Sequence, residues 1–393
     1  MKALVWHGRR DVRVDNVPDP KIEAATDAIV RVTTTAICGS DLHLYDVLEP
    51  FMEEGDILGH EPMGIVEEVG PEVAHIKPGD RVVVPFNISC GHCYMCDMSL
   101  YSQCETTQVR EYGSGAAILG YSKLYGQVPG GQAEYLRVPQ AHFGPIKVPK
   151  GPPDERFIYL SDVLPTAWQA VDYAAIPPGG SVTVFGLGAI GQMSSRLARI
   201  RGARVIGVDL VPERLEMARR HDIEALNAND HDDVPAVIRE MTDGRGTDSV
   251  IDAVGMEAHG APAVKAIQAM SGLLPDSIAK TIFRKAGVDR LTVLLEAIDA
   301  VRRGGTVSII GVYGGMLDPL PMMKLFDKQI RLRMGQANVK RWVDDLMPFL
   351  NREDDPLGVE DLATHRLPLD EAPYGYEIFQ NKQDNAIKVL LHR

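Results

Sequence analysis

The chain has 393 residues, of which 45% are hydrophobic and 24% are charged, and its formal net charge is −13. This length exceeds what one ordinary hydrophobic core supports, so we expect a globular protein with two domains. The acidic balance argues against nucleic acid as a partner, because an acidic surface repels phosphates and no run of lysines and arginines offsets it.

Neither a secretory leader nor a membrane span is predicted. The chain starts with the letters MKALVW, which suggest a strand, and no apolar run reaches the roughly 18–20 residues that a bilayer requires. Four of the five cysteines lie within residues 90–104, which favours metal binding in a reducing compartment over a disulfide framework. We therefore expect a cytoplasmic protein without a membrane partner.

The elements predicted in chain order change character near residue 181. Before it, short apolar runs bounded by turn residues predict an irregular sheet or barrel, with strands at 28–33, 64–69 and 80–84. After it, strands alternate with helices, which predicts a parallel doubly wound sheet. The strands of this second part are predicted at 181–185, 203–209, 248–253, 305–310 and 330–334, and its first two helices at 189–201 and 212–221.

One connection in the second part is unusually long. The stretch between Ala253 and Gly305 is far longer than the ~10–12 residues that a simple crossover needs. We therefore expect an insertion at about 256–290.

A G-x-G-x-x-G motif, with glycines at 186, 188 and 191, lies between a predicted strand and a predicted helix. Gly186 would permit a tight turn, Gly188 would let a pyrophosphate approach the helix N-terminus, and Gly191 would let helix and strand pack closely. Asp209, at the end of the next strand, would bind ribose hydroxyls and repel a 2′-phosphate, which favours NAD over NADP. The alternative is a glycine-rich turn that binds no nucleotide.

The cysteines of residues 88–106 follow the spacing C-x2-C-x2-C-x7-C. Four thiolates around one Zn²⁺ fill a tetrahedron and leave no open position, so this lobe is predicted to be structural. Four exposed thiols at this density would otherwise oxidise. The predicted ligands are Cys90, Cys93, Cys96 and Cys104.

A second centre is suggested by Cys38 and by His60 in the sequence GHEPMG. Either residue alone is usually a packing residue or a satisfied core polar group. The full pattern G-H-E-x2-G-x5-G-x2-V is met, however, and the chain in this respect resembles the zinc-dependent medium-chain alcohol dehydrogenase family over nearly its whole length. The residues that meet the pattern are Gly59, His60, Glu61, Gly64, Gly70 and Val73.

The resemblance implies an α/β protein with a GroES-like β-rich catalytic domain and a Rossmann domain. The first would comprise residues 1–162 and 337–393, and the second residues 163–336 with the insertion at about 256–290. The family further implies NAD, one catalytic and one structural zinc per subunit, a small alcohol or aldehyde as substrate, a site between the domains and a homotetramer.

The same resemblance makes Cys38 and His60 ligands of the catalytic zinc. Two cysteines and a histidine with an open position are the known alcohol dehydrogenase arrangement, but no second cysteine is left in this chain. Asp162 stands where that cysteine is expected, and a carboxylate is a competent zinc ligand. Two alternatives stay open: Asp162 is an N-cap of the next helix, or Glu61 is the ligand, as in some polyol-oxidising relatives.

The family also implies a proton relay and several cofactor contacts. Ser40 would take the substrate proton and His43 would pass it toward solvent through the cofactor ribose. Turn capping and a polar position at the surface are the alternatives for both residues. Thr166 would lie beside the nicotinamide, Val312 at its carboxamide and Lys388 at the pyrophosphate, with packing or surface charge as alternatives. The remaining predicted cofactor contacts are Ala189, Ile190, Arg214 and Val254.

The aspartate at 162, the insertion and residues 126–135 resemble the glutathione-independent formaldehyde dehydrogenase branch, in which the insertion covers the adenine end of the cofactor. Formaldehyde hydrate or small primary alcohols and aldehydes are therefore the expected substrates. Alternatives are a polyol or amino-alcohol dehydrogenase of the sorbitol or threonine type, and a catalytically silent NAD(H)-binding zinc protein.

Overall fold

The computed structural model describes residues 1–255, 291–313 and 320–393. The predicted insertion at 256–290 lies outside the described residues. The chain divides into two compact units, Met1–Thr166 with Ala337–Arg393, and Ala167–Gln336. The division after Thr166 lies within one helix, Val163–Ala174, which carries the chain from the first unit into the second.

Strands and helices are both present, as the α/β class requires. The strands are β1 (Lys2–Gly8), β2 (Asp11–Asn16), β3 (Ala28–Ile37), β4 (Glu61–Val69), β5 (Arg81–Val83), β6 (Tyr135–Val138), β7 (Ile146–Lys147), β8 (Ser181–Phe185), β9 (Arg204–Asp209), β10 (Glu224–Asn227), β11 (Thr247–Asp252), β12 (Val301–Ile309), β13 (Arg331–Met334), β14 (His365–Pro368) and β15 (Val389–His392). The helices are α1 (Gly39–Asp46), α2 (Tyr94–Asp97), α3 (Asp154–Phe157), α4 (Val163–Ala174), α5 (Ala189–Ile200), α6 (Pro212–Arg220), α7 (Val234–Glu240), α8 (Thr292–Ala300), α9 (Met322–Lys328), α10 (Val343–Leu350) and α11 (Ala372–Asn381). Within the described ranges, none of the helices has both the length and the apolar character that crossing a bilayer demands.

The first unit is built on a seven-stranded sheet in the order β14-β15-β3-β4-β5-β7, with β6 paired to β3. All of these pairings are antiparallel except β14 with β15. The C-terminal strand β15 therefore lies beside β3, which brings the last residues of the chain to the strand that leads into Cys38. Apolar side chains pack on this sheet in two clusters, one around Ile37 and Tyr376 and one around Val30 and Leu136.

The second unit contains a six-stranded sheet in the order β10-β9-β8-β11-β12-β13, and every pairing in it is parallel. This confirms the doubly wound sheet predicted from the alternation of strands and helices. The strand order reverses beside β8. The carboxyl ends of β8, β9 and β11 therefore border the position where nucleotides bind in such sheets.

Among the strands predicted for the second unit, β12 differs most from its prediction. β12 begins at Val301, earlier than the predicted residue 305. Thr247 pairs with Val301 while Ser249 pairs with Thr306, so the register shifts between these pairs. Gly304 has a φ of +69°, which lets the strand absorb the extra residues. The adjacent Gly304 and Gly305 are typical of a strand end in sequence, although β12 continues through them.

Candidate metal and cofactor sites

The four cysteines of the 88–106 lobe converge on one point. A sulfur from each of Cys90, Cys93, Cys96 and Cys104 lies within 4.8 Å of the other three. Tetrahedral zinc with Zn–S distances of ~2.3 Å places sulfurs about 3.8 Å apart, and the Cys93 and Cys104 sulfurs are 3.9 Å apart. The lobe therefore fits a four-thiolate zinc site.

Backbone N–H groups face the sulfurs of this lobe. The N–H of Cys90 donates to Sγ of Cys104 at 3.3 Å, and the N–H of Glu105 donates to Sγ of Cys93 at 3.3 Å. Burial raises the pKa of the Cys93 thiol, but hydrogen bonds from the N–H groups of Cys96 and Glu105 outweigh burial and lower that pKa to about 6. These N–H groups thus favour the thiolate form of Cys93, and thiolate is the form that binds zinc.

A second buried cluster gathers Cys38, His60, Glu61 and Asp162 from separate parts of the first unit. Cys38 directly precedes α1, His60 and Glu61 lie at the start of β4, and Asp162 directly precedes α4. Each offers a ligand atom within 4.8 Å of the others. Oδ2 of Asp162 lies 3.7 Å from Sγ of Cys38 and 3.4 Å from Nε2 of His60. Thiolate, imidazole and carboxylate together form a donor set that suits zinc.

The electrostatics of this cluster also fit a cation. Burial raises the pKa of the Cys38 thiol, and the neighbouring Glu61 carboxylate raises that pKa further. A cation bound between these groups would reverse the effect, because it stabilises anionic ligands. A metal bound here would therefore offset the cost of burying the Cys38 thiolate.

Asp41 belongs to this site and was missed by sequence reasoning. Its Oδ1 lies 2.9 Å from Nδ1 of His60, and its Oδ2 accepts the N–H of Cys38 at 2.9 Å. A proton on Nδ1 leaves the lone pair of Nε2 for a metal. Asp41 does stand at the capping-box position three residues after Cys38. That spacing, however, gives no sign that the same carboxylate also reaches His60.

The Asp162 carboxylate is held at the start of α4 by one oxygen and faces the cluster with the other, and its roles as zinc ligand and as N-cap stay predictions. It directly precedes α4, and its Oδ1 accepts a hydrogen bond from Oγ1 of Thr166 in the first turn, at 2.5 Å. Its other oxygen faces Cys38 and His60. Thr166 is buried and so helps to orient the carboxylate; its place beside a nicotinamide stays a prediction.

Glu61 is engaged by Lys388, the residue predicted to contact a pyrophosphate. Nζ of Lys388 donates to Oε2 of Glu61, and both side chains are 1% exposed. Lys388 is therefore not a solvated surface charge, which was the alternative interpretation. Each charge in such a pair compensates the burial of the other. The pyrophosphate contact stays a prediction.

Ser40 and His43, the predicted relay residues, lie three positions apart on α1 and therefore share a face of that helix. Oγ of Ser40 is 3.2 Å from Nε2 of His60, so the hydroxyl lies at the cluster. The His43 side chain is only 8% exposed. The passage of a proton from His43 through a ribose stays a prediction.

In the second unit, the G-x-G-x-x-G turn joins β8 to α5. Gly186 has a φ of +83°, a conformation that favours glycine. A Cβ on Gly191 would lie 1.7 Å from the carbonyl oxygen of Gly186, whereas a Cβ on Gly188 would lie 4.0 Å from Nη1 of Arg214, its nearest contact among the described residues. Ala189 and Ile190 form the first turn of α5. This geometry suits a phosphate at the start of the helix.

Asp209 ties the end of β9 to this turn. Its Oδ2 accepts the N–H of Leu187 at 2.6 Å, and its Oδ1 accepts the N–H groups of Leu210 and Val211 at 2.7 and 2.9 Å. Nη1 of Arg214 lies 3.6 Å from Oδ2. The carboxylate thus orders the loop on which a ribose is predicted to sit.

Val254 and Val312 lie on the turns that follow β11 and β12. A Cβ on Gly186 would lie 2.6 Å from Cγ2 of Val254, so this valine packs beside the glycine turn. Val312 is 50% exposed. The structure thus brings Gly186 and Val254 together, and the cofactor contacts of both valines stay predictions.

Comparison with known proteins identifies the family. The alcohol dehydrogenase GroES-like domain matches residues 24–150, and the zinc-binding dehydrogenase family matches residues 189–273. An uncharacterised zinc-type alcohol dehydrogenase-like protein of Bacillus subtilis strain 168 is 42% identical over 395 residues, covering 100% of both chains. The chain belongs to the zinc-containing medium-chain alcohol dehydrogenase family. It is an alcohol dehydrogenase-type oxidoreductase.

Two further members of this family cover almost the whole chain. A glutathione-independent formaldehyde dehydrogenase of Pseudomonas aeruginosa PAO1 is 32% identical over 401 residues, covering 96% of this chain and 94% of its own. The solved structure of an alcohol dehydrogenase from Thermus sp. ATN1 is 35% identical, with a TM-score of 0.81 over 100% of this chain and 99% of its own. The predicted GroES-like and Rossmann architecture is thereby confirmed.

Within this zinc-containing dehydrogenase, the two clusters have different donor chemistry. The lobe offers four sulfurs and would leave no coordination position free, whereas Cys38, His60 and Asp162 offer three mixed donors and would leave one position for a substrate. Cys38 is the single cysteine of the second cluster among the described residues. That the Asp162 carboxylate takes the place of a second cysteine stays a prediction.

Proposed function

We propose that this protein is an NAD-dependent zinc dehydrogenase that oxidises formaldehyde, as its hydrate, and interconverts small primary alcohols and aldehydes. The observation that carries the proposal is the buried cluster of Cys38, His60 and Asp162, whose ligand atoms lie within 4.8 Å of one another. Thiolate and carboxylate together keep the formal ligand charge at −2, as two cysteines would, so one aspartate can replace one cysteine.

The residues around the cluster support proton removal from a substrate oxygen. Zinc would supply a Lewis acid and NAD a hydride acceptor. Asp41 holds His60 with Nε2 toward the cluster. The Ser40 hydroxyl, 3.2 Å from that nitrogen, would take the proton, and His43 on the same helical face would receive it from Ser40.

Asp209 supports NAD over NADP. Its carboxylate is fixed at the end of β9 by three backbone N–H groups, so a 2′-phosphate brought to this position would meet a negative charge that cannot move away. Arg214, 3.6 Å from the carboxylate, is engaged by that charge and is less able to receive a phosphate.

The choice of formaldehyde rests on the similarity to the Pseudomonas aeruginosa enzyme together with Asp162. A polyol or amino-alcohol dehydrogenase is the alternative if Glu61 joins the metal ligands. The buried ion pair between Glu61 and Lys388 supports leaving Glu61 outside the ligand set. The other alternative is a catalytically silent protein, which would bind zinc and NAD(H) without converting a substrate.

The test is NADH formation by the purified protein with NAD and formaldehyde, without glutathione, beside panels of primary alcohols and polyols. We expect formaldehyde to be oxidised at a rate comparable to or above that of the alcohols, and NADP to be a poor substitute for NAD. Activity confined to polyols would reject the proposed substrate class. Zinc and NADH binding without turnover of any of these compounds would reject the enzymatic role.

A further inference from the structure

A fully buried carboxylate at the end of β11 has no part in the proposed proton transfer. Asp252 is 0% exposed. Its Oδ2 accepts a hydrogen bond from the hydroxyl of Tyr313 at 2.5 Å, and its Oδ1 accepts the N–H groups of Val254 at 3.0 Å and Gly255 at 3.3 Å. Burying a carboxylate is costly unless its hydrogen bonds are satisfied. These neutral donors satisfy it, and each of them lies on one of two neighbouring turns.

The hydrogen bonds of Asp252 join those two turns into one unit. Gly255 lies on the turn after β11, and Tyr313 lies on the turn after β12. The carbonyl oxygen of Asp252 also accepts the N–H of Gly311 at 2.9 Å. A Cβ on Gly255 would lie 2.5 Å from the nitrogen of Val312. The turns therefore pack without space between them, and the carboxylate bonds to both.

The joined turns also pack against the glycine motif. The N–H of Ala253 donates to the carbonyl oxygen of Phe185, the residue before Gly186, at 2.9 Å. Cγ2 of Val254 would contact any side chain placed on Gly186. Asp252 thus lies at the carboxyl edge of the parallel sheet, where such sheets bind dinucleotides.

The strand order assigns the two halves of a dinucleotide to opposite sides of β8. Asp209 ends β9, on one side of β8, and Asp252 ends β11, on the other. A dinucleotide lies across the point where the strand order reverses. With its adenosine ribose at Asp209, its nicotinamide half extends toward the turns after β11 and β12.

We propose that Asp252 and Tyr313 are positioning residues for the nicotinamide half of NAD(H). The pair holds Val254 and Val312 against that half, while the glycine turn and Asp209 serve the ADP half. This inference rests on the proposed use of NAD. It assigns neither residue a contact with the reacting atoms.

The test compares two ligands that share the ADP half. Dissociation constants for NADH, by fluorescence, and for ADP-ribose, by calorimetry, are measured for the full chain and for Tyr313→Phe. Losing a hydrogen bond to a buried carboxylate should weaken NADH binding about tenfold. ADP-ribose, which lacks the nicotinamide, should bind with an affinity that is little changed.

Tyr374→Phe is the matched control. The Tyr374 hydroxyl donates to Oδ2 of Asp384 at 2.7 Å on the exposed face of α11, so the substitution removes the same hydroxyl from a tyrosine–aspartate pair at the surface. It should change neither dissociation constant.

Asp252→Asn is the second variant, for use if Tyr313→Phe does not fold. It keeps the side-chain shape and one acceptor oxygen, and it should also weaken NADH binding while leaving ADP-ribose binding little changed.

The outcomes separate this inference from the proposed function. Equal weakening of NADH and ADP-ribose would show a general loosening of the second unit and would overturn the inference. If the Tyr313→Phe and Asp252→Asn variants bind NADH as tightly as the wild-type protein does, the inference is overturned and the proposed use of NAD is not. Wild-type protein that binds no NADH would overturn the proposed use of NAD together with the inference.

Discussion

The two candidate metal sites of the first unit, the four-cysteine lobe and the mixed cluster around Cys38, differ in how the chain assembles them. The lobe takes all four sulfurs from the single stretch 90–104, around the short helix α2. The other cluster takes Cys38 from just before α1, His60 from just before β4 and Asp162 from just before α4. The lobe therefore depends mainly on local turns, whereas the mixed cluster depends on the packing of the whole unit. Substitutions should separate the two, with chemistry lost at one and stability at the other.

The largest effect is expected for Asp162→Ala. It removes one of three ligands from the mixed cluster, so the catalytic zinc should be lost while the lobe keeps its own. Losing a Lewis acid that supplies several kcal/mol should lower kcat/KM by about a thousandfold or more. Metal analysis should find one zinc per subunit in place of two.

The control for this variant is Asp172→Ala on the same helix, α4. Asp172 pairs with Arg333 at 3.8 Å at the surface, so its loss should leave both the zinc content and kcat/KM unchanged. Two zincs retained by Asp162→Ala would contradict the assignment of Asp162 as a ligand.

A smaller effect is expected for Asp41→Asn. The amide keeps the shape of the side chain but weakens the hydrogen bond that orients His60, so zinc affinity at the mixed cluster should fall about 10- to 100-fold. Competition with a chelator measures this change, and the zinc of the lobe is the internal reference. Asp46→Asn at the other end of α1 is the control, because Asp46 pairs with Arg9 and Arg10. Equal loss of zinc in both variants would assign the effect to the helix and not to His60.

Removing the relay by His43→Ala should lower kcat about tenfold or more near neutral pH, because proton transfer by a positioned base is lost. The loss should shrink as pH rises, since solvent hydroxide then accepts the proton in place of the side chain. A pH profile of kcat checks this, with His231→Ala, an exposed histidine of the second unit, as control. Rates equal to wild type at both low and neutral pH would rule out the relay.

The smallest effect on turnover is expected for Cys93→Ser in the lobe. One zinc should be lost and Tm should fall by about 5 °C or more, because metal binding contributes to folding stability. The kcat of the folded protein at 25 °C should change little. A loss of kcat as large as that of Asp162→Ala, in protein that is still folded, would mean that the lobe takes part in the chemistry.

Local patterns predicted much of the second unit. The strand predicted at 181–185 is β8, and the helix predicted at 189–201 is α5 with a one-residue difference at its end. Apolar runs act over a few residues, and so do glycines at positions whose backbone conformation favours glycine. Both can therefore be recognised in the sequence directly. β12 was harder, because Gly304 and Gly305 break the local pattern while hydrogen bonds from β11 continue the strand.

The sequence by itself determined the cysteine lobe and the glycine turn, because in both the interacting groups lie within one or two turns of each other along the chain. Only the tertiary structure decided which charges meet in the core. Lys388 reaches Glu61, and Asp41 reaches His60, because β15, β3 and β4 lie side by side in one sheet. A buried charge takes its partner from whatever packs against it, and the spacing of residues along the chain does not contain that information.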